Sequence, residues 1–344
     1  MHLLTEKAHY LKGVLYSLNE NNGIANDATM LDIKDLIIQY KTDDGVVHAV
    51  NGLSLSLKKG ETLGLVGETG AGKTTTALGV LRLIPNPPGE IISGEILLDG
   101  EDVVKKTESE MRSIRGNIAS MIFQDPMTSL NPVMPIRDQI AEVILLHEKV
   151  TAVEANKKAI EMLETVGIME DRANEYPHQF SGGMRQRVVI AIALACRPEL
   201  IIADEPTTAL DVTIQAQVLE LMKELKVKFK TSMIMITHDL GIVAEICDKV
   251  AVMYAGTVVE YADKKELFEN PKHPYTIGLF NSLPDIDADA DALKPIKGLM
   301  PDPMDLPSGC CFHPRCDSAT AECSQIVPES IDFGKGHIVK CLLY

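Results

Sequence analysis

The stretch "TLGLVGETGAGKT", Thr62 to Thr74, decides the fold. Thr62 to Val66 has strand character, a glycine-rich loop follows, and an apolar helix is expected from Thr74. Within it, "GETGAGKT" (67–74) fills every fixed position of the phosphate-loop pattern: Gly, four free residues, Gly-Lys, then Ser or Thr. Glycines at these places let consecutive backbone N–H groups turn inward around phosphate oxygens. Lys73 is then placed to reach the β and γ phosphates, and the Thr74 hydroxyl to ligate Mg2+. The helix behind the loop adds the positive end of its dipole. The expected nucleotide loop is therefore Gly67, Glu68, Thr69, Gly70, Ala71, Gly72, Lys73, Thr74 and Thr75. The bland alternative is a glycine turn carrying a surface lysine.

Downstream, "LIIADE" (200–205) is an apolar strand ending in two acids. A strand end beside a phosphate loop is where an acid organises Mg2+, a role that suits Asp204, while Glu205 is placed to polarise an attacking water. Around these motifs the order is helix Met184–Cys196, strand Leu200–Ala203, helix Thr213–Phe229 and strand Ser232–Thr237. That alternation predicts an α/β domain built on a mostly parallel sheet with helices on both faces. Residues 135–175 read as helical, and Leu31–Ile38 and Val46–Leu57 read as strands around a turn at "TDDG" (42–45). Lys249–Tyr254 and Thr257–Tyr261 are two short strands expected to close the domain.

"FSGGMRQR" (180–187) adds a second anion-binding signal. Ser181, Gly182 and Gly183 precede a helix with no strand before them, so this is a second helix N-terminus suited to phosphate. One chain does not readily fold both sites onto one γ-phosphate, but two chains arranged head to tail can. Taken alone, "SGG" would be merely a flexible turn.

Over residues 30–262 these motifs resemble, in order, an ABC-transporter nucleotide-binding subunit. The resemblance implies a P-loop (RecA-like) ABC domain with a helical subdomain at about 125–190. It makes Gln124 of "FQDP" the residue that senses the γ-phosphate, contributes to the Mg2+ site and contacts the membrane partner. It makes Asp211 of "ALD" (209–211) a dimer-seam residue, and His238 of "ITHD" the histidine that contacts the γ-phosphate. Tyr40 is the candidate for stacking on adenine, with His48 near the same place. Phe180 and Met184 depart from the common "LSGGQ" without removing the serine or the glycines.

Longer strings sharpen the likeness. "SGGMRQRVVIAIALACRPELIIADEPTTALDVTIQAQVLELM" (181–222), "MYAGTVVE" (253–260), "HPYTIGLFNSLP" (273–284) and "GCCFHPRC" (309–316) are similar to D-type ATPases of bacterial dipeptide, oligopeptide and nickel importers. That resemblance implies ATP hydrolysis coupled to peptide import. The implied partners are a second, F-type ATPase as heterodimer, two transmembrane permeases and an extracellular peptide-binding protein. Nickel import, or a soluble ABC ATPase not tied to transport, are the alternatives.

The remaining segments are an N-terminal extension (1–29) and a C-terminal extension (263–344) entered through an acidic linker, "DIDADADA" (285–292). Of the seven cysteines, five fall between Cys310 and Cys341. In a reducing compartment such clustering suggests a metal site before disulfides. Cys310, Cys316, Cys323 and Cys341 look like the subfamily's positions for a [4Fe–4S] cluster, which needs four thiolates. Their spacing, C-x5-C-x6-C-x17-C, lacks the close pair usual for structural zinc. Iron–sulfur, zinc and no metal all remain open. The composition excludes other classes: a net charge of −16 argues against a nucleic-acid surface. No run approaches the ~20 apolar residues of a membrane helix, and residues 1–29 lack the apolar core of a secretory signal. The expected location is the cytoplasmic face of the membrane, bound through partners.

Overall fold

The computed structural model describes residues 28–208, 210–282 and 296–344. Residues 1–27 of the N-terminal extension, the Ala209 of "ALD" and the acidic linker lie outside the described residues.

Two sheets carry the fold. The first is antiparallel, in the order β2-β1-β4-β5, from β1 (Thr29–Thr42), β2 (Gly45–Lys58), β4 (Gly89–Leu98) and β5 (Glu101–Asp102). The Thr42 hydroxyl donates to Gly45 O at 2.9 Å across the expected turn. The second sheet has eight strands in the order β11-β12-β10-β9-β3-β8-β7-β6. Its centre is β3 (Thr62–Val66), β6 (Ala119–Ile122), β7 (Leu200–Asp204), β8 (Ser232–Ile236) and β9 (Lys249–Tyr254), all paired in parallel. Every residue of β3, β7 and β8 is buried, which is why these strands read as continuous apolar runs instead of alternating ones.

The helices fall close to their expected places. α1 (Lys73–Val80) follows the glycine loop one residue earlier than expected. After α2 (Glu108–Ile114) and the single turn α3 (Pro126–Ser129), the stretch expected as helical resolves into α4 (Ile136–His147) and α5 (Ala152–Thr165). A reciprocal cap starts α5: Thr151 Oγ1 accepts from Glu154 N, and Glu154 Oε2 accepts from Thr151 N. α6 (Gly182–Leu194) begins two residues before the expected Met184 because Ser181 caps it, its Oγ accepting from Met184 N at 3.4 Å. α7 (Val212–Phe229) is capped by Asp211, and α8 (Leu240–Ile246) by Asp239.

The expectation that two strands close the domain needs correction. β10 (Thr257–Asp263) is not an edge. After α9 (Lys264–Glu269) and α10 (Pro274–Asn281), β12 (Ile338–Val339) pairs antiparallel with β10, and β11 (Ile331–Asp332) pairs with β12. The C-terminal segment therefore extends the same sheet and covers backbone groups that β10 would otherwise leave open. β4 was also missed. It reads poorly as a strand because Gly94 interrupts it.

Candidate nucleotide site

The glycine loop joins β3 to α1, and its glycines are there for space. A Cβ on Gly67 would lie 2.3 Å from Met253 O, and one on Gly72 would lie 2.4 Å from Ala49 O. Gly72 also has φ +97°, the left-handed conformation that costs glycine little. Lys73 is buried, and its Nζ donates to Gly67 O at 2.8 Å and Glu68 O at 3.0 Å. Burial pulls this amine below the ordinary lysine range, while Glu205, Asp204 and Glu68 oppose that shift. The ammonium is thus held over its own loop, turned toward carbonyls that a phosphate oxygen can replace.

Asp204 ends β7 beside this loop. Burial raises its carboxyl pKa first, the Thr74 hydroxyl bond lowers it, and the neighbouring Glu205 charge raises it again, with a net rise. Two adjacent acids held near one buried lysine form a donor set that a divalent cation would balance. Thr74 and Asp204 therefore fit Mg2+.

Glu205 stands at φ +47°, a strained position for a non-glycine residue that commonly marks a functional turn. Its backbone N donates to Ile236 O at 2.9 Å, which fixes it between β7 and β8. Three side chains converge on its carboxylate. Gln124 Nε2 donates to Oε2 at 2.9 Å, Thr208 Oγ1 donates to Oε2 at 3.0 Å, and His238 Nδ1 lies 3.2 Å from Oε1. Burial would raise this carboxyl's pKa, but the bonds from His238 and Thr208 outweigh it and hold the group below the usual range. The structure thus brings together Glu205, Gln124 and His238, and adds Thr208, which the sequence reading missed. Its "EPTT" context (205–208) carries no motif that singles it out.

Other expected residues sit elsewhere. Ser181, Gly182 and Gly183 open α6, and a Cβ on Gly183 would lie 2.4 Å from Ile214 Cγ2. Among the described residues, no hydrogen bond joins them to the glycine loop. Asp211 accepts from Ile214 N at 2.9 Å and caps α7. Tyr40 is half-buried on β1, paired with Val47 and Gly89, and packs on the core beneath the antiparallel sheet. Thr69 and Gly70 are exposed at the loop tip, Ala71 is buried, and Thr75 is half-buried.

Relatives give the arrangement its family. The ABC transporter family pattern matches residues 50–208, and the pattern for the oligopeptide/dipeptide transporter C-terminal region matches 259–323. The oligopeptide transport ATP-binding protein AppD of Bacillus subtilis is 50% identical over 319 residues, covering 92% of this chain and 97% of AppD. The chain belongs to the ABC transporter family. It is an ABC-type ATPase. The OppD protein of Escherichia coli is 48% identical over 314 residues, covering 91% of this chain and 92% of that protein. A dimeric ATP-binding cassette, MJ0796, in a post-hydrolysis state bound to ADP and Pi, superposes with a TM-score of 0.62. That match is 27% identical and covers 68% of this chain and 99% of the cassette.

Among the described residues of the ABC ATPase, no disulfide joins the seven cysteines. Burial, and after it the neighbouring cysteines, push Cys310 up to about 11 and raise Cys316 and Cys341. Cys310 is influenced by Cys341, Cys323 and Cys311, and Cys341 by Cys316 and Cys323. Cys310, Cys316, Cys323 and Cys341 therefore act on one another, with Cys311 beside them. Yet among the described residues no three His, Cys, Asp or Glu side chains are arranged to hold a metal ion. Among the described residues, no helix is long and apolar enough to cross a membrane.

Proposed function

We propose that this chain is the ATPase that powers import of dipeptides or oligopeptides, working on the cytoplasmic face of the membrane. The observation that carries the reading is the extent of its likeness to peptide-transport ATP-binding proteins. It runs over more than nine tenths of the chain and includes the C-terminal region.

In this reading Lys73 and the N–H groups of residues 67–75, apart from that of Glu68 which Tyr275 Oη accepts, hold the phosphates, and Thr74, Asp204 and Gln124 hold Mg2+. The bound Mg2+ would neutralise charge on the phosphate oxygens. Glu205 takes a proton from the attacking water, while Gln124 and His238 orient that carboxylate and meet the γ-phosphate. Ser181, Gly182 and Gly183 serve the nucleotide of a second ATPase, and Asp211 lies at the seam. Tyr40 stacks on adenine. The partners are an F-type ATPase, two permeases and an extracellular peptide-binding protein. A [4Fe–4S] cluster on Cys310, Cys316, Cys323 and Cys341, with zinc as the alternative, belongs to this reading through the family resemblance alone. No step of hydrolysis depends on it.

The test is to purify the chain with its membrane partners, reconstitute the complex and follow ATP turnover with peptides or nickel offered outside. Peptide-stimulated turnover upholds the reading. Nickel-stimulated turnover transfers the chain to the alternative cargo, and recovery without membrane partners removes it from transport.

A further inference from the structure

The phosphate loop carries an acid at its second position, where negative charge opposes a phosphate ligand. Glu68 does not stand alone. Arg315 is 7% exposed, and its Nη1 lies 3.1 Å from both Glu68 Oε1 and Oε2. The guanidinium is anchored elsewhere: Nε donates to Lys297 O at 2.8 Å, Nη2 to Gly298 O at 3.3 Å and Nη1 to Tyr254 Oη at 3.4 Å. Glu68 is also held by its main chain, its N donating to Tyr275 Oη at 2.9 Å. Tyr254, Tyr275 and Phe312 pack with ring centroids 4.7–5.4 Å apart, so both anchors rest on one buried aromatic cluster.

We propose that Arg315 is a positioning residue for the phosphate loop, drawing the Glu68 carboxylate toward the C-terminal region and cancelling its charge. Two physical effects follow. Glu68 is among the acids whose charge acts on Lys73, so a neutralised Glu68 competes less with phosphate for that ammonium. A Glu68 tied at both backbone and side chain also keeps the neighbouring N–H groups in place before nucleotide arrives. Arg315 ends the short turn His313–Arg315, directly before Cys316. The arrangement of the cysteine segment therefore bears on nucleotide affinity.

The inference rests on reading residues 67–75 as the phosphate site, and the experiment separates the two. A fluorescent ATP analogue with Mg2+ is titrated into the full chain and into Arg315→Ala, Arg315→Lys, Glu68→Gln and the Arg315→Ala/Glu68→Gln pair. Arg315→Ala is expected to bind about tenfold more weakly. Arg315→Lys keeps the charge without the planar fork and should fall between. Adding Glu68→Gln to Arg315→Ala should restore affinity to within about twofold of Glu68→Gln alone, because no charge is left to cancel. Unchanged binding by Arg315→Ala overturns the proposal. So does a double variant as weak as Arg315→Ala, which would mark Arg315 as structural only. If Arg315→Ala does not fold, Arg315→Lys with and without Glu68→Gln decides by the same comparison. Lys73→Ala, run alongside, reports on the loop itself: normal binding there removes the phosphate site, whatever Arg315 does.

Discussion

Gln124 Nε2 and Glu205 Oε2 are joined at 2.9 Å, so the segment after β6 and the end of β7 share one hydrogen bond. With Thr208 on the same oxygen and His238 on Oε1, the amide sets the direction of the Glu205 carboxylate, whose backbone N is fixed to β8.

Glu205→Gln keeps the shape of the site and removes the base. ATP turnover by the assembled complex should fall by about 10²- to 10⁴-fold with nucleotide binding retained. Phosphate release and bound-nucleotide content measure the two halves. Normal turnover would take Glu205 out of the role.

Lys73→Ala removes the buried ammonium that donates to Gly67 O and Glu68 O. Loss of charged hydrogen bonds to phosphate should weaken ATP binding by roughly tenfold to a hundredfold. Equilibrium titration with a fluorescent analogue reads this directly, and wild-type affinity would contradict the loop assignment.

His273 gives a pH signature. It is buried and its Nδ1 accepts from Tyr275 N at 3.1 Å, capping α10 with a neutral ring. Burial lowers its pKa from 6.5 to about 4. Between those values the unfolded chain binds a proton that the folded chain refuses. This contribution is therefore complete above pH 6.5 and lost as the pH falls toward 4, by roughly 3 kcal/mol. His273→Asn keeps a capping acceptor without the titration, so its melting temperature should depend less steeply on pH across that window. Equal slopes for the two proteins would refute the assignment.

His337 and Glu260 form a buried pair, Nε2 to Oε1 at 2.8 Å, between the C-terminal segment and β10. Glu260 also accepts from Lys272 N and His273 N. His337→Ala leaves the carboxylate with only those two donors and should cost about 3 kcal/mol. His337→Gln retains a donor and should cost less. Urea unfolding of both variants tests the ranking, and equal stability to the parent would show the pair to be neutral.

Much of this was readable from local pattern. The β3–loop–α1 unit, the strand ending at Asp204 and the helices of residues 136–165 each announce themselves within a dozen residues, through apolar periodicity and fixed glycine places. Gln124 and His238 are singled out by the resemblance to ABC subunits, and the structure brings both to Glu205. Much of what escaped depends on distance along the chain. Arg315 and His337 acquire meaning only from partners that no spacing rule connects, whereas Thr208 lies three residues from Glu205 but carries no motif of its own. Arg315 lay inside a string already noted for its cysteines, and its own contact is with a residue 247 positions away. The continuation of β10 into β12 escaped for the same reason, since two-residue strands have no period to detect.

The reach of the bond from Arg315 to Glu68 bears on how the protein is made. Glu68 leaves the ribosome early, while its counterion follows after 247 further residues. Until then the loop keeps an unbalanced acid beside Lys73. An interrupted translation product with its glycine loop and both sheet acids intact would still lack the residue that completes that loop. If the contact acts as proposed, a chain cut short before Arg315 would bind nucleotide about tenfold more weakly than one that carries it.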